Sequence, residues 1–225
     1  MKQKILDLRE SVVSKEFRIR IFLVIFFIVG IAGFSIPLFR ELFLNLTPFA
    51  ILLSIFFLII FHEPEPDRKT LNAFAIILVV TWGIEAIGVA TGAVFGSYNY
   101  GSGLGLKLLD TPLLIGLNWL FLIYVTSCIT DRIPVSRVTR IIIASLLMVL
   151  YDFIMENVAM DLDMWSFKGG MPPVRNYIAW FVIALIIHAA IKLTGITFRN
   201  RIAPFIFVLQ SLFFIVLISL FKLSE

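Results

Sequence analysis

Apolar residues in this chain run in long blocks separated by short polar interruptions. The blocks have neither the two-residue alternation of a half-buried strand nor the single stripe of a soluble amphipathic helix. RIIIASLLMVLYDFIMENVA (140–159) is typical: apolar on all sides, with a few polar residues set into it. A helix crosses a bilayer with roughly 20 mostly apolar residues. Seven blocks meet that requirement: residues 19–39, 45–62, 71–93, 112–130, 138–159, 175–193 and 202–222. The pattern predicts an all-α, polytopic membrane bundle. Residues 1–225 then form a single membrane domain, with two longer connections at 94–111 and 160–174.

Composition agrees. Hydrophobic residues make up 60% of the chain and charged residues 15%, against about 25% charged in soluble domains. The single cysteine, Cys128, excludes an intramolecular disulfide and a cysteine-rich metal site, and reads as packing. The chain has no P-loop, no strand-linked GxGxxG, no GxSxG and no HExxH. A retinal Schiff base would need a lysine deep in a span, and Lys192 and Lys222 both fall at span ends.

The net charge of +4 comes from basic residues clustered in particular loops, so it signals topology and not nucleic-acid binding. Of 19 Lys and Arg, fourteen fall on the side of the N-terminus and five on the other. That bias places the N-terminus inside and the C-terminus outside, with both long connections on the outer side. Residues 1–18 read as a basic cytoplasmic lead-in without a cleavable signal. His62 and His188 fall toward the inner side and read as interfacial residues. EPEPD (63–67) reads as a helix-breaking, water-facing turn.

Three acids stand out. Glu85 lies roughly 21 Å along the third span at 1.5 Å per residue, and Asp152 lies at a similar depth along the fifth. Glu156 follows Asp152 by four residues, on the same helical face. Acids inside membrane spans are costly and are functional by default, although Glu156 is near enough to its helix end to snorkel. The loops leaving these two spans, FGSYNYGSGLG (95–105) and DLDMWSFKGGMPPVRNY (161–177), are rich in aromatics and glycine. A pocket in the outer half, floored by acids and roofed by aromatic loops, is expected. Asp161 and Asp163 read as solvated, and Arg175 as an interfacial anchor. No metal or other cofactor site is expected.

The chain also carries an internal echo. Glu85 precedes Tyr98 by the same spacing as Asp152 precedes Trp165, and Pro112 precedes Trp119 as Pro173 precedes Trp180. Spans three–four and five–six thus read as two copies of one unit, related by an axis along the membrane normal.

These same residues carry a family resemblance. Glu85, Gly92, Phe95, Gly96, Tyr98, Tyr100, Gly105 and Pro112 resemble the first signature of the carotenoid biosynthesis membrane proteins of carotenoid 1,2-hydratase type, the bacterioruberin-precursor and gamma-carotene hydratases. The second signature is similar to Asp152, Trp165, Gly170, Pro173, Asn176 and Trp180. The family usually has Asp at Glu156 and Pro at Asn157. The resemblance covers about residues 81–181 and implies cofactor-independent hydration of the terminal C1=C2 bond of an acyclic carotenoid. It implies Glu85, Asp152 and Glu156 as acid and base groups, with Phe95, Tyr98, Tyr100, Trp165, Asn176 and Trp180 around the substrate. The partners would be a polyene, water and lipid in a prokaryotic cytoplasmic membrane, with an oligomer or a complex with other carotenoid enzymes left open. The residues also leave open an end-group cyclase or isomerase, a membrane carrier using the acids as a relay, and a carotenoid-binding protein without turnover.

Overall fold

The computed structural model describes residues 10–63 and 65–223. Seven long helices dominate it: α1 Glu16–Ser35, α2 Pro37–Ile60, α3 Arg68–Thr91, α4 Leu113–Thr130, α5 Arg137–Ala159, α6 Val174–Thr194 and α7 Ala203–Leu223. All seven are long and apolar enough to cross a membrane. The protein is a polytopic helical membrane bundle. Short strands tie its ends: β1 His62–Glu63 pairs with β6 Arg199–Asn200, β2 Tyr98–Tyr100 with β5 Trp165–Phe167, and β3 Lys107–Leu108 with β4 Thr111–Pro112, all antiparallel. The β1–β6 pair and the basic loops mark one end of the bundle; β2–β5 marks the other.

Spans three to seven fall close to the expected positions, but the first two do not. The expected break at 40–44 is instead at Ile36, which is extended. Pro37 then opens α2, where its missing N–H costs nothing. Arg40 and Glu41 are helical, not loop residues: Arg40 pairs with Asp161 at 3.5 Å and lies over the Phe221 ring. Residues 1–9 of the basic lead-in, and Pro64 of the EPEPD turn, lie outside the described residues. That turn has structural roles: Glu63 pairs with Arg201 at 2.8 Å, and Asp67 caps α3 by accepting from the Thr70 amide.

α4 is the central helix, with 78% of its span buried against 22–33% for the others. A helix that is apolar on all sides belongs in such a place. The surrounding helices turn residues such as Phe49, Ile59, Ile76 and Ile186 outward, where lipid is the solvent. The two histidines depart from the sequence expectation. Both are buried, not interfacial. His62 shares a 2.7 Å hydrogen bond with the Tyr124 hydroxyl, which also accepts from Asn200. His188 lies between the hydroxyls of Thr126 and Ser127, each at 3.2 Å. Burying a polar ring requires such partners.

The β2–β5 ladder has a symmetric register. Asn99 faces Ser166, Tyr98 faces Phe167 and Tyr100 faces Trp165. Exchanging Tyr98 with Trp165 and Tyr100 with Phe167 leaves the ladder unchanged. Trp119 and Trp180, the matched tryptophans of the internal echo, stack with centroids 3.8 Å apart and planes at 13°. Both contacts are those a twofold between α3–α4 and α5–α6 would make.

Candidate active site

α3 and α5 both run from the basic end to the end bearing β2–β5. Each brings its acids to the underside of that two-stranded sheet. Glu85 is 3% exposed and Asp152 is fully buried, while Glu156 is partly buried one turn further on. The three acids line one small cavity together with Phe95, Tyr98, Tyr100, Trp165, Asn176 and Trp180. The three acids and the six residues expected around the substrate are therefore brought to one place. The cavity has about 20 Å³ of free space, room for roughly one water molecule. No lysine or arginine lines it.

Glu85 is fully engaged. Its Oε2 accepts from the Tyr98 hydroxyl at 2.6 Å and the Tyr100 hydroxyl at 2.8 Å, and its Oε1 accepts from the Trp119 indole N–H at 2.8 Å. Burial, and then the Glu85 carboxyl, push both phenols well above their usual range, so both remain donors. Gly88, one turn beyond Glu85, makes this approach possible. A Cβ there would meet the Phe95 ring at 2.8 Å and the Tyr98 hydroxyl at 3.3 Å.

Asp152 and Glu156 are held differently. One amide nitrogen, Nδ2 of Asn176, donates to Asp152 Oδ2 at 3.0 Å and to Glu156 Oε1 at 3.3 Å. The Trp165 indole donates to Glu156 Oε2 at 2.9 Å. Asp152 Oδ1 is buried without a hydrogen-bond partner among the described residues. Orphaned buried oxygens are rare and need a reason. Here the reason is available: the oxygen belongs to a residue that lines a water-sized cavity.

The loops that roof the pocket are latched. Asp163 Oδ2 accepts from both the backbone amide and the hydroxyl of Ser102. These two bonds hold the Asp163 carboxyl below its ordinary range. Asp163 is thus exposed, as expected, but it is also a tie between the two loops. Leu109 and Asp110 both have positive φ between β3 and β4, as a two-residue type I′ hairpin requires. Arg175 does not line the pocket; it donates to the Gly92 carbonyl at 2.7 Å, joining the start of α6 to the end of α3.

Three residues at the site were not among the candidates. Ile115 and Phe167 line the cavity, and Trp119 holds Glu85. Only Trp119 had a signal in the sequence, as the partner of Trp180 in the internal echo. Among the described residues, no group of three or more His, Cys, Asp or Glu side chains is disposed to hold a metal ion.

The family model described as carotenoid biosynthesis protein matches residues 46–223, which include every residue of the pocket. The bisanhydrobacterioruberin hydratase of Haloarcula japonica is 27% identical over 158 residues, 63% of this chain and 53% of that protein. The chain thus spans about half the length of that curated relative. No solved structure matches. The match across most of the chain, including both aromatic loops and all three acids, shows that the chain belongs to the carotenoid biosynthesis protein family.

Proposed function

We propose that the protein adds water across the terminal C1=C2 bond of an acyclic carotenoid, using carboxyl groups embedded in the membrane. The observation that carries this reading is the convergence of Glu85, Asp152 and Glu156 on a cavity with room for about one water. Three acids confined together without a lining cation hold at least one proton among them, since like charges in a dry site cannot all ionise. Asp152 is the proton donor, because its Oδ1 has no protein partner. That proton goes to C2, and the π electrons leave a tertiary cation at C1. The cavity water attacks C1, and Glu156 takes the proton the water loses. Proton return from Glu156 to Asp152 through the next water to enter the cavity resets the site, with the Asn176 amide holding both carboxyls in place. The net change is one water added, with no redox step.

Glu85 has a different part. Its three donors fix it as an electrostatic counterweight to the cation, and ring faces of Tyr98, Tyr100 and Trp165 add to this. The Haloarcula relative's name fits hydration. A carrier would use helices broken near the midplane, whereas α3 and α5 run continuously through the acids. The Lys and Arg distribution supports placing the site in the outer half of the membrane, with the N-terminus inside. The test is expression in a host that makes lycopene, followed by pigment mass analysis. A gain of one water supports the reading. A cyclised pigment of unchanged mass contradicts it.

A further inference from the structure

A second, mostly apolar space lies beside the acid pocket. It has a volume of about 260 Å³ and is walled by α1, α2, α4, α5 and α7, with Phe27, Phe121, Met155 and Phe213 among its lining residues. Trp165 lines both spaces. Its indole N–H holds Glu156. At the other end, Val29, Leu46 and Phe49 line the cavity and are exposed on the lipid-facing side of α1 and α2. The space thus runs from the bilayer to the wall of the acid pocket.

Its polar content is sparse and mostly spent. Tyr151 donates to Gln210 at 2.8 Å, Gln210 donates to Ser54 at 2.9 Å, and the Thr47 hydroxyl donates to the Phe43 carbonyl. Asn118 is the exception. It is 6% exposed, lines the cavity, and its side chain makes no hydrogen bond among the described residues. Its amide is open to the space of the cavity, where a ligand or water can meet it.

We infer that this cavity is the binding channel for the end of an acyclic polyene, entered sideways from the bilayer between α1 and α2, with Trp165 as the partition that yields to admit the end group to the acids. This inference rests on the hydration reading for its substrate class. The volume suits an end segment and not a whole carotenoid, because small-molecule pockets begin near 300 Å³; the remainder of the chain stays in lipid. The lining supplies no charge and needs none for a hydrocarbon. Asn118 marks where a hydroxyl on the hydrated end is received as the product backs out.

Blocking the channel far from the acids tests this. Ala50 lines the cavity on α2. In an Asp152→Asn background, where turnover is slowed at least about a hundredfold, the protein purified from a lycopene-making host carries bound lycopene. Adding Ala50→Trp lowers the bound lycopene at least about tenfold. The milder Ala50→Leu lowers it about threefold and serves if the larger side chain prevents folding, which size-exclusion chromatography reads. Phe56→Trp, on the lipid face outside the cavity, changes nothing. Unaltered pigment in folded Ala50 variants overturns the channel. Pigment lost on blocking, from a wild-type protein that never adds water to lycopene, keeps the channel and overturns the hydration reading instead.

Discussion

Asp152→Asn separates chemistry from architecture more cleanly than any other change at the site. Asp152 makes one hydrogen bond, from Asn176 to Oδ2, and its Oδ1 has none. An asparagine oriented with its oxygen toward Asn176 keeps that bond and places its amide where the orphan oxygen was. One unpartnered buried atom replaces another, so the stability change is about 1 kcal/mol or less. On a chain of this size that moves the thermal midpoint by about 2–4 °C at most. The chemical cost is of another order. Loss of a general acid costs about 10²–10⁴ in rate, or about 3–5 kcal/mol of barrier at 1.36 kcal/mol per decade. The assay is conversion of lycopene to its hydrated product by protein in lipid nanodiscs, alongside thermal unfolding of the same preparation. A variant that keeps more than about a tenth of wild-type turnover refutes Asp152 as proton donor. A variant that unfolds leaves the role of Asp152 in the fold larger than its single hydrogen bond implies, and the reasoning about Oδ1 fails.

Other consequences are equally measurable. Trp119→Phe keeps the stack on Trp180 and removes the donor to Glu85, so it costs about 1.5–3 kcal/mol in unfolding free energy and lowers turnover without abolishing it. Gly88→Val drives a side chain into Phe95 and the Tyr98 hydroxyl; overpacking costs about 1–3 kcal/mol, and thermal unfolding should show it together with reduced turnover. The Asp163 latch fixes a pH dependence. Because the Asp163 carboxyl is held below its ordinary value, its contribution is present above the ordinary carboxylate range and is lost as pH falls through the lowered value. The protection factor of the Ser102 amide, the ratio of its intrinsic to its observed exchange rate at each pH, therefore falls in acid in the wild type, and Ser102→Ala shows a lower protection factor in this loop already at neutral pH.

The acids and aromatics could be read in the sequence because each violates its surroundings. A carboxyl among leucines is expensive wherever the helix goes, so Glu85 and Asp152 announce themselves without a fold. The spacing of proline and tryptophan likewise survives in one dimension. What each acid holds does not survive. Glu85 depends on Trp119, 34 residues away, and the orphan state of Asp152 Oδ1 depends on which oxygen Asn176 chooses. The burial of the histidines is hidden in the sequence for the same reason. His62 and His188 find their partners on α4, a helix remote from both in sequence, so position near a span end suggested the interface while packing buried them. At the first helical hairpin, backbone chemistry and not charge decides the turn. Arg40 and Glu41 looked like a loop, yet proline at the first helical position decided where α2 begins.

The central claim is that water is added at this cluster of acids, and isotopes test it most directly. Purified protein is given lycopene in a buffer of D₂O enriched in ¹⁸O. Proton delivery to C2 and water attack at C1 predict a product with one deuterium on C2 and one ¹⁸O in the new hydroxyl, formed by the wild type and not by Asp152→Asn. A pigment that gains deuterium without oxygen, or an alcohol formed equally by the variant, would contradict the account.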